Sequence, residues 1–180
     1  MHIGGTGDAQ KLATGVRNVW DKIKEVRAKN GELSTRFAGN PIPSLSTITA
    51  EPLQKILGTE GQKNSGMFKA VWGLTAQMGG IKFGNEMGLN TWAAFAGSDE
   101  NAVVDGDFAM HENELQTVLS AMRGEGINVV AIHSHMSGEK PKILFMHYWG
   151  RGPAAQLAQS LRKVLDAQAK VGSKKMKHGG

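Results

Sequence analysis

The residues of this chain best suited to chemistry fall in one stretch, VVAIHSHMSGEKPKILFMHYWGRG, residues 129–152. Three of the six histidines lie in it: His133, His135 and His147. His133 and His135 are two apart in a β-branched run, so on a strand both project from one face. A turn centred near Glu139 makes the numbers of opposed residues sum to about 278. Ala131 then faces His147 and His133 faces Phe145. That register puts His133, His135, Phe145 and His147 on one face, with His133 and His147 as diagonal neighbours. Three convergent imidazoles suit a divalent metal such as zinc, and iron or copper fits the same donors. Neutral imidazoles also serve as general acids and bases near neutral pH. The competing reading is a set of rim or core histidines that satisfy backbone groups, since His-x-His on a strand is a weak signal alone.

Four carboxylates are candidates to join the histidines: Glu86, Asp105, Asp107 and Glu139. Asp105 and Asp107 share a face of their own strand. Trp149 and Arg151, in YWGRGP, are candidates to line a ligand. Gly150 and Gly152 suit a tight strand-to-helix connection, and the helix start beside Arg151 could hold an anion. The spacing is not that of a phosphate-binding loop. His111, before a helix and beside Glu112, reads as solvated, and His178 falls in the basic tail. The chain has no nucleophile elbow and no dinucleotide fingerprint. Zero Cys removes disulfides, thiolate metal sites and Cys nucleophiles.

The elements that position these residues follow from periodicity. Residues 8–29 predict an amphipathic helix, with Leu12, Val16, Val19, Trp20, Ile23 and Val26 at three- and four-residue steps. Residues 31–46, with Gly39, Pro41 and Pro43, read as a linker. Thr49 is the expected N-cap of a short helix closed by Gly58. SGMFKAVWGLTA reads as one strand, followed by a strand and a Gly-rich bend, then strands over 90–96 and NAVVDGDFAM, with Trp92 and Phe95 expected in the core. HENELQTVLSAMRGEG reads as a helix, INVVAIHSHM and KILFMHYWG as a hairpin, and GPAAQLAQSLRKVLDAQ as a closing helix. The order β-β-α-β-β-α predicts an α+β fold, a mainly antiparallel sheet with helices packed on one face. Its βαββα core is ferredoxin-like in part.

Charge excludes one class of partner. The chain carries net +5, yet the last twelve residues hold four Lys and no acid, and residues 1–30 hold six Lys/Arg against three acids. Residues 31–168 are therefore slightly acidic, which argues against nucleic acid. Residues 169–180 read as a disordered basic tail. No apolar run of about 18 residues is present, so no transmembrane segment is expected.

The chain also repeats itself. MHIGGTGDAQKLATGVRNVWD (1–21) and MHYWGRGPAAQLAQSLRKVLD (146–166) share ten of 21 positions without gaps. Residues 1–30 therefore read as the tail of a truncated first repeat unit, and 47–168 as a complete unit. His2 stands where His147 stands but lacks hairpin partners. The unaccompanied helix 8–29 is expected to pair with the complete unit or to form a homodimer.

At VVAIHSHMSGEKPKILFMHYWGRGPAAQLAQSLRKVL, preceded by VVDGDFAMHENELQTVLSAMRGEGINVV, the sequence resembles the LppY/LpqO family of bacterial envelope-associated proteins of unknown function. The likeness spans about 47–168. It implies a periplasmic or other extracytoplasmic location, tandem units, and importance for His133, His135 and His147. It supplies no reaction. The expectation is thus an extracytoplasmic domain that binds a metal ion or small polar ligand, with His133 and His135 as direct ligands and His147 as the third. The alternatives are a metal-dependent or acid–base hydrolase of the envelope, and a structural module whose histidines lie under a closed surface.

Overall fold

The computed structural model describes residues 7–30 and 40–176. The expectations for His2, for residues 31–39 of the linker and for His178 lie outside the described residues. The chain divides into two compact units, one ending at Pro41 and one starting at Ile42. The first holds α1 (Ala9–Asn30), whose charged face is laced with ion pairs such as Arg17–Asp21 and Lys29–Glu25.

The second unit runs α2 (Ala50–Leu57), β1 (Gly61–Asn64), β2 (Met67–Gly73), β3 (Ala76–Met78), β4 (Ile81–Phe83), β5 (Asn90–Gly97), β6 (Ala102–His111), α3 (Leu115–Gly124), β7 (Asn128–His133), β8 (Ile143–Gly152) and α4 (Ala154–Met176). Six strands form one antiparallel sheet in the order β1-β2-β5-β6-β8-β7, and β3–β4 form a separate two-stranded hairpin. β6 and β7 are both antiparallel to β8, so they run parallel to each other and are linked by α3. This split β-α-β unit is the ferredoxin-like part of the expected α+β fold.

Strand alternation sorts the side chains. Phe95 on β5, Val104, Phe108 and Met110 on β6, and Met146 and Tyr148 on β8 form one core with Leu53 and Leu57 of α2, Val118 and Met122 of α3, and Leu161 and Val164 of α4. Burying each of the larger apolar side chains stabilises the domain by about 1.5–3 kcal/mol. α2 ends at Gly58, whose φ of 70° is left-handed, and the Arg162 guanidinium of α4 donates to the Leu57 carbonyl at 2.9 Å. Gly106 is required for packing. A Cβ there would overlap the Tyr148 ring and the Trp92 carbonyl. The Tyr148 ring thus crosses β6 and its hydroxyl donates to that carbonyl at 2.9 Å.

Among the described residues of this unit, no helix packs on the opposite sheet face. At one end the β3–β4 hairpin shelters a small second core of Ala76, Leu89, Ala109, Ile143 and Phe145, with Leu74, Phe83 and Met136 against it. Paired backbone bonds between Gln77 and Lys140, 2.9 and 2.8 Å, tie the hairpin to the loop before β8.

Several expectations change. SGMFKAVWGLTA is two strands, since the chain breaks after Gly73 and starts β3 at Ala76. β1, the polar stretch Gly61–Asn64, has no apolar alternation and was not expected as a strand. Trp92 lies half-buried on the uncovered face, with Lys69 Nζ 4.5 Å above its ring, rather than in the main core. Thr49 occupies the N-cap position with no side-chain capping bond. His111 closes β6 and is half-buried, its N–H bonded to the Glu114 carboxylate at 2.9 Å, rather than solvated. α4 continues to Met176, so residues 169–176 of the expected disordered tail are helical. Ala169, Lys170, Lys174 and Lys175 are good helix formers, which propagate a helix once it has begun.

Candidate metal centre

The centre is built on the uncovered face of β6, β8 and β7. Alternation sends Val104, Gly106 and Phe108 of β6 toward the helices, and Asp105, Asp107 and Ala109 the other way. Asp107 pairs across the ladder with His147, and Ala109 with Phe145. On the far side of β8, Ala131 pairs with His147 and His133 with Phe145, the register expected from the turn. A bulge between Val129 and Ala131 accommodates this register, because Val129 pairs with Tyr148 and Val130 is left over. Regular pairing from Val129 onward would put His133 opposite Leu144, on the helix-covered face. Bulges next to functional sites commonly re-aim a side chain in this way.

β7 ends at His133, so His135 does not stand on the strand as expected. It lies in the loop, and a different force brings it in. Its ring stacks flat on Phe145, with centroids 3.6 Å apart and planes 9° apart. That contact leaves His135 Nε2 3.1 Å from His133 Nε2. The His133 ring is in turn stacked on His147, at 4.6 Å and 18°.

Asp107 sits beneath all three rings. Its Oδ2 lies 3.7 Å from His135 Nε2 and 4.0 Å from His133 Nε2, and its Oδ1 lies 3.7 Å from His147 Nδ1. Donor atoms of Asp107, His133 and His135 all fall within 4.8 Å of one another, and His147 stands outside that group. The three donors form a triangle with edges of 3.1, 3.7 and 4.0 Å. The point equidistant from its corners lies about 2.1 Å from each, the length of a zinc–nitrogen or zinc–carboxylate bond. The Asp107 side chain is 5% exposed, against 21% for His133, 35% for His135 and 46% for His147. The site thus has an anionic floor and an open, imidazole-lined mouth.

Burial pushes the Asp107 carboxyl above its usual range. His147, His133 and His135 pull it back, and the like charge of Asp105 adds to the rise. Asp107 Oδ1 is buried and has no hydrogen-bond partner among the described residues. Burial, reinforced by Asp105 and Asp107, also holds the Tyr148 hydroxyl protonated far above its usual range.

The other candidates separate. Asp105 is exposed on the same face, paired with Trp149 across the ladder. Trp149 and Arg151 continue that face along β8, and Arg151 Nη2 donates to Asn101 Oδ1 at 3.5 Å. Glu139 is buried, and its carboxylate accepts the Ile143 N–H at 3.4 Å, so its role is to hold the loop rather than to face the imidazoles. Glu86 lies in a 3-10 turn, Asn85–Met87, and lines an open cleft of about 890 Å³ with Gln77, Lys82 and Lys140. No histidine lines that cleft. The sequence places Asp107 as one of four acids. Its central place depends on the β6–β8 register, which no local motif announces.

A family model described as Domain of Unknown Function (DUF1259) matches residues 51–167, and the chain belongs to that family. No curated protein and no solved structure matches the chain.

Proposed function

We propose that this DUF1259 domain binds a divalent metal ion, zinc foremost, through Asp107, His133 and His135. The observation that carries the reading is the donor triangle, whose centre lies about one zinc–ligand bond from every corner. Two imidazoles and one carboxylate form a donor set that zinc and iron both accept. The ion would neutralise the buried charge of Asp107, and the stacking of His135 on Phe145 pre-positions the ligand that comes from the loop. The half-exposed mouth counts against a purely structural module, which needs a closed surface over its histidines. Metal analysis of the purified chain tests this directly. One or more equivalents of zinc should survive dialysis, and Asp107→Ala or the pair His133→Ala/His135→Ala should remove it. A chain that neither retains zinc nor melts higher on adding it lacks the centre.

A second reading, metal-dependent hydrolysis, is favoured by the ligand count. Three protein ligands leave a coordination position for water, the arrangement of catalytic rather than structural zinc sites. The resemblance to the LppY/LpqO family supports an extracytoplasmic location. A tandem origin is supported by α1 and α4. Leu12, Val16 and Val19 match Leu157, Leu161 and Val164 of the α4 stripe, and the Arg17–Asp21 pair matches Arg162–Asp166. Light scattering of the chain, with and without Trp20→Glu on the α1 stripe, tests the homodimer that such a stripe would support.

A further inference from the structure

We infer that Asp107 holds two divalent cations, one on each carboxylate oxygen, and that His147 is the imidazole ligand of the second site, with Asp105 as a nearby negative charge. The inference rests on the first-site reading above and assigns what that site leaves unused. Oδ2 faces His133 and His135, whereas Oδ1 faces His147 Nδ1 at 3.7 Å. Oδ1 is buried without a hydrogen-bond partner among the described residues, on a side chain only 5% exposed. A buried carboxylate oxygen left unpaired is costly. The gap to His147 is too long for a hydrogen bond. It is the right size for a cation, because two bonds of about 2.0–2.2 Å span donor separations up to about 4 Å.

Asp105 supplies the remaining charge. It stands two residues before Asp107 on the same face of β6, diagonal to His147 across the ladder, and its carboxylate is exposed. Beside Asp107 it places two like charges on one patch, a repulsion that a cation would relieve. The stacked His133 and His147 rings stand side by side, each with a nitrogen toward a different Asp107 oxygen. One carboxylate bridging two cations holds them about 3.5–4 Å apart, the spacing at which a shared water becomes a hydroxide nucleophile for phosphate esters or amides. The protein donors at the second site are the His147 nitrogen and one Asp107 oxygen, a mixture open to zinc, cobalt or manganese, with water filling the other positions.

Stoichiometry decides the matter. The full 180-residue chain is stripped with chelator, loaded with Zn²⁺ alone or Co²⁺ alone, dialysed and assayed by elemental analysis. Two ions per chain are expected, with magnetic coupling between the cobalt ions. His147→Ala should retain one ion and lose the coupling, Asp105→Ala should hold the second ion more weakly, and Asp107→Ala should retain none. Both residues are exposed, and matching circular dichroism and melting curves establish that the variants fold. One ion in the parent that His147→Ala keeps overturns the second site and spares the first. One ion that His147→Ala loses makes His147 a ligand of a single centre and also overturns the second site. No ion in the parent overturns the first-site reading itself.

Discussion

The two faces of the central strands carry opposite chemistry. Toward the helices stand Phe95, Val104, Phe108, Met146 and Tyr148, each at most 1% exposed. On the other face of the same strands stand Trp92, Asp105, Asp107, His147 and Trp149. Depth of burial does not separate the faces, since Asp107 is itself only 4% exposed. Satisfaction does. The polar atom that Tyr148 brings into the core is spent on the Trp92 carbonyl, whereas Asp107 keeps an oxygen buried and unspent. A covered face settles its polar groups within the protein. An uncovered face that leaves one unsettled is built for something that arrives from outside.

The largest effect expected from breaking this contrast is on the covered face. Phe108→Ala should cost about 3–5 kcal/mol, the range for losing a buried phenyl ring. Phe108 neighbours Asp107 on β6 but points the other way. Metal stoichiometry measured at low temperature, where the variant remains folded, should therefore match the parent. Urea melts give the stability and elemental analysis gives the metal. Loss of both together would show that the faces are coupled.

Asp107→Asn should move stability the other way. Removing a buried charge whose Oδ1 accepts no hydrogen bond should raise the stability of the metal-free domain by about 1–3 kcal/mol, while metal retention collapses. The pH dependence carries the same signature. The Asp107 carboxyl is raised in the fold above its ordinary 3.8. Its favourable contribution is then fully present below about pH 4 and is lost as pH rises through the folded-state value. The metal-free parent should lose stability over that window relative to Asp107→Asn. The metal-loaded parent should show the reverse slope, because acid displaces metal from its ligands. Paired melts across pH 4–8 check both signs.

What could be read in advance divides along the same lines. Local periodicity carries the α+β fold, the helix-covered side, and the pairing of His133 with Phe145 and Ala131 with His147, because turn position and alternation determine them. Three features are tertiary in origin. The ring contact that gathers His135 from the loop depends on Phe145, ten residues downstream on β8. The burial of Asp107 depends on the order β6-β8-β7, and that strand exchange is not written in any one segment. The polar strand β1 lacks apolar alternation and is held by the hairpin it forms with β2. Glu139 is the opposite case. In the sequence it looks available, and in the fold it is used by the Ile143 backbone.

The smallest expected effect concerns the bulge. Val130 is 64% exposed and pairs with no residue of β8, while its neighbours Val129 and Ala131 pair with Tyr148 and His147. Deleting Val130 would let Asn128, Val129, Ala131, Ile132 and His133 run opposite Trp149 through Phe145 without interruption, so His133 keeps both its partner and its face. Stability should change by less than about 1 kcal/mol, and metal stoichiometry should be unchanged. The change expected is at the strand edge. β7 is an edge strand, and straightening it removes one of the devices that keep edges from pairing with other chains. Sedimentation should show more self-association in the deletion variant at equal metal content. If metal is lost instead, the bulge shapes the centre beyond setting which way His133 points, and the two faces are less independent than the strand alternation implies.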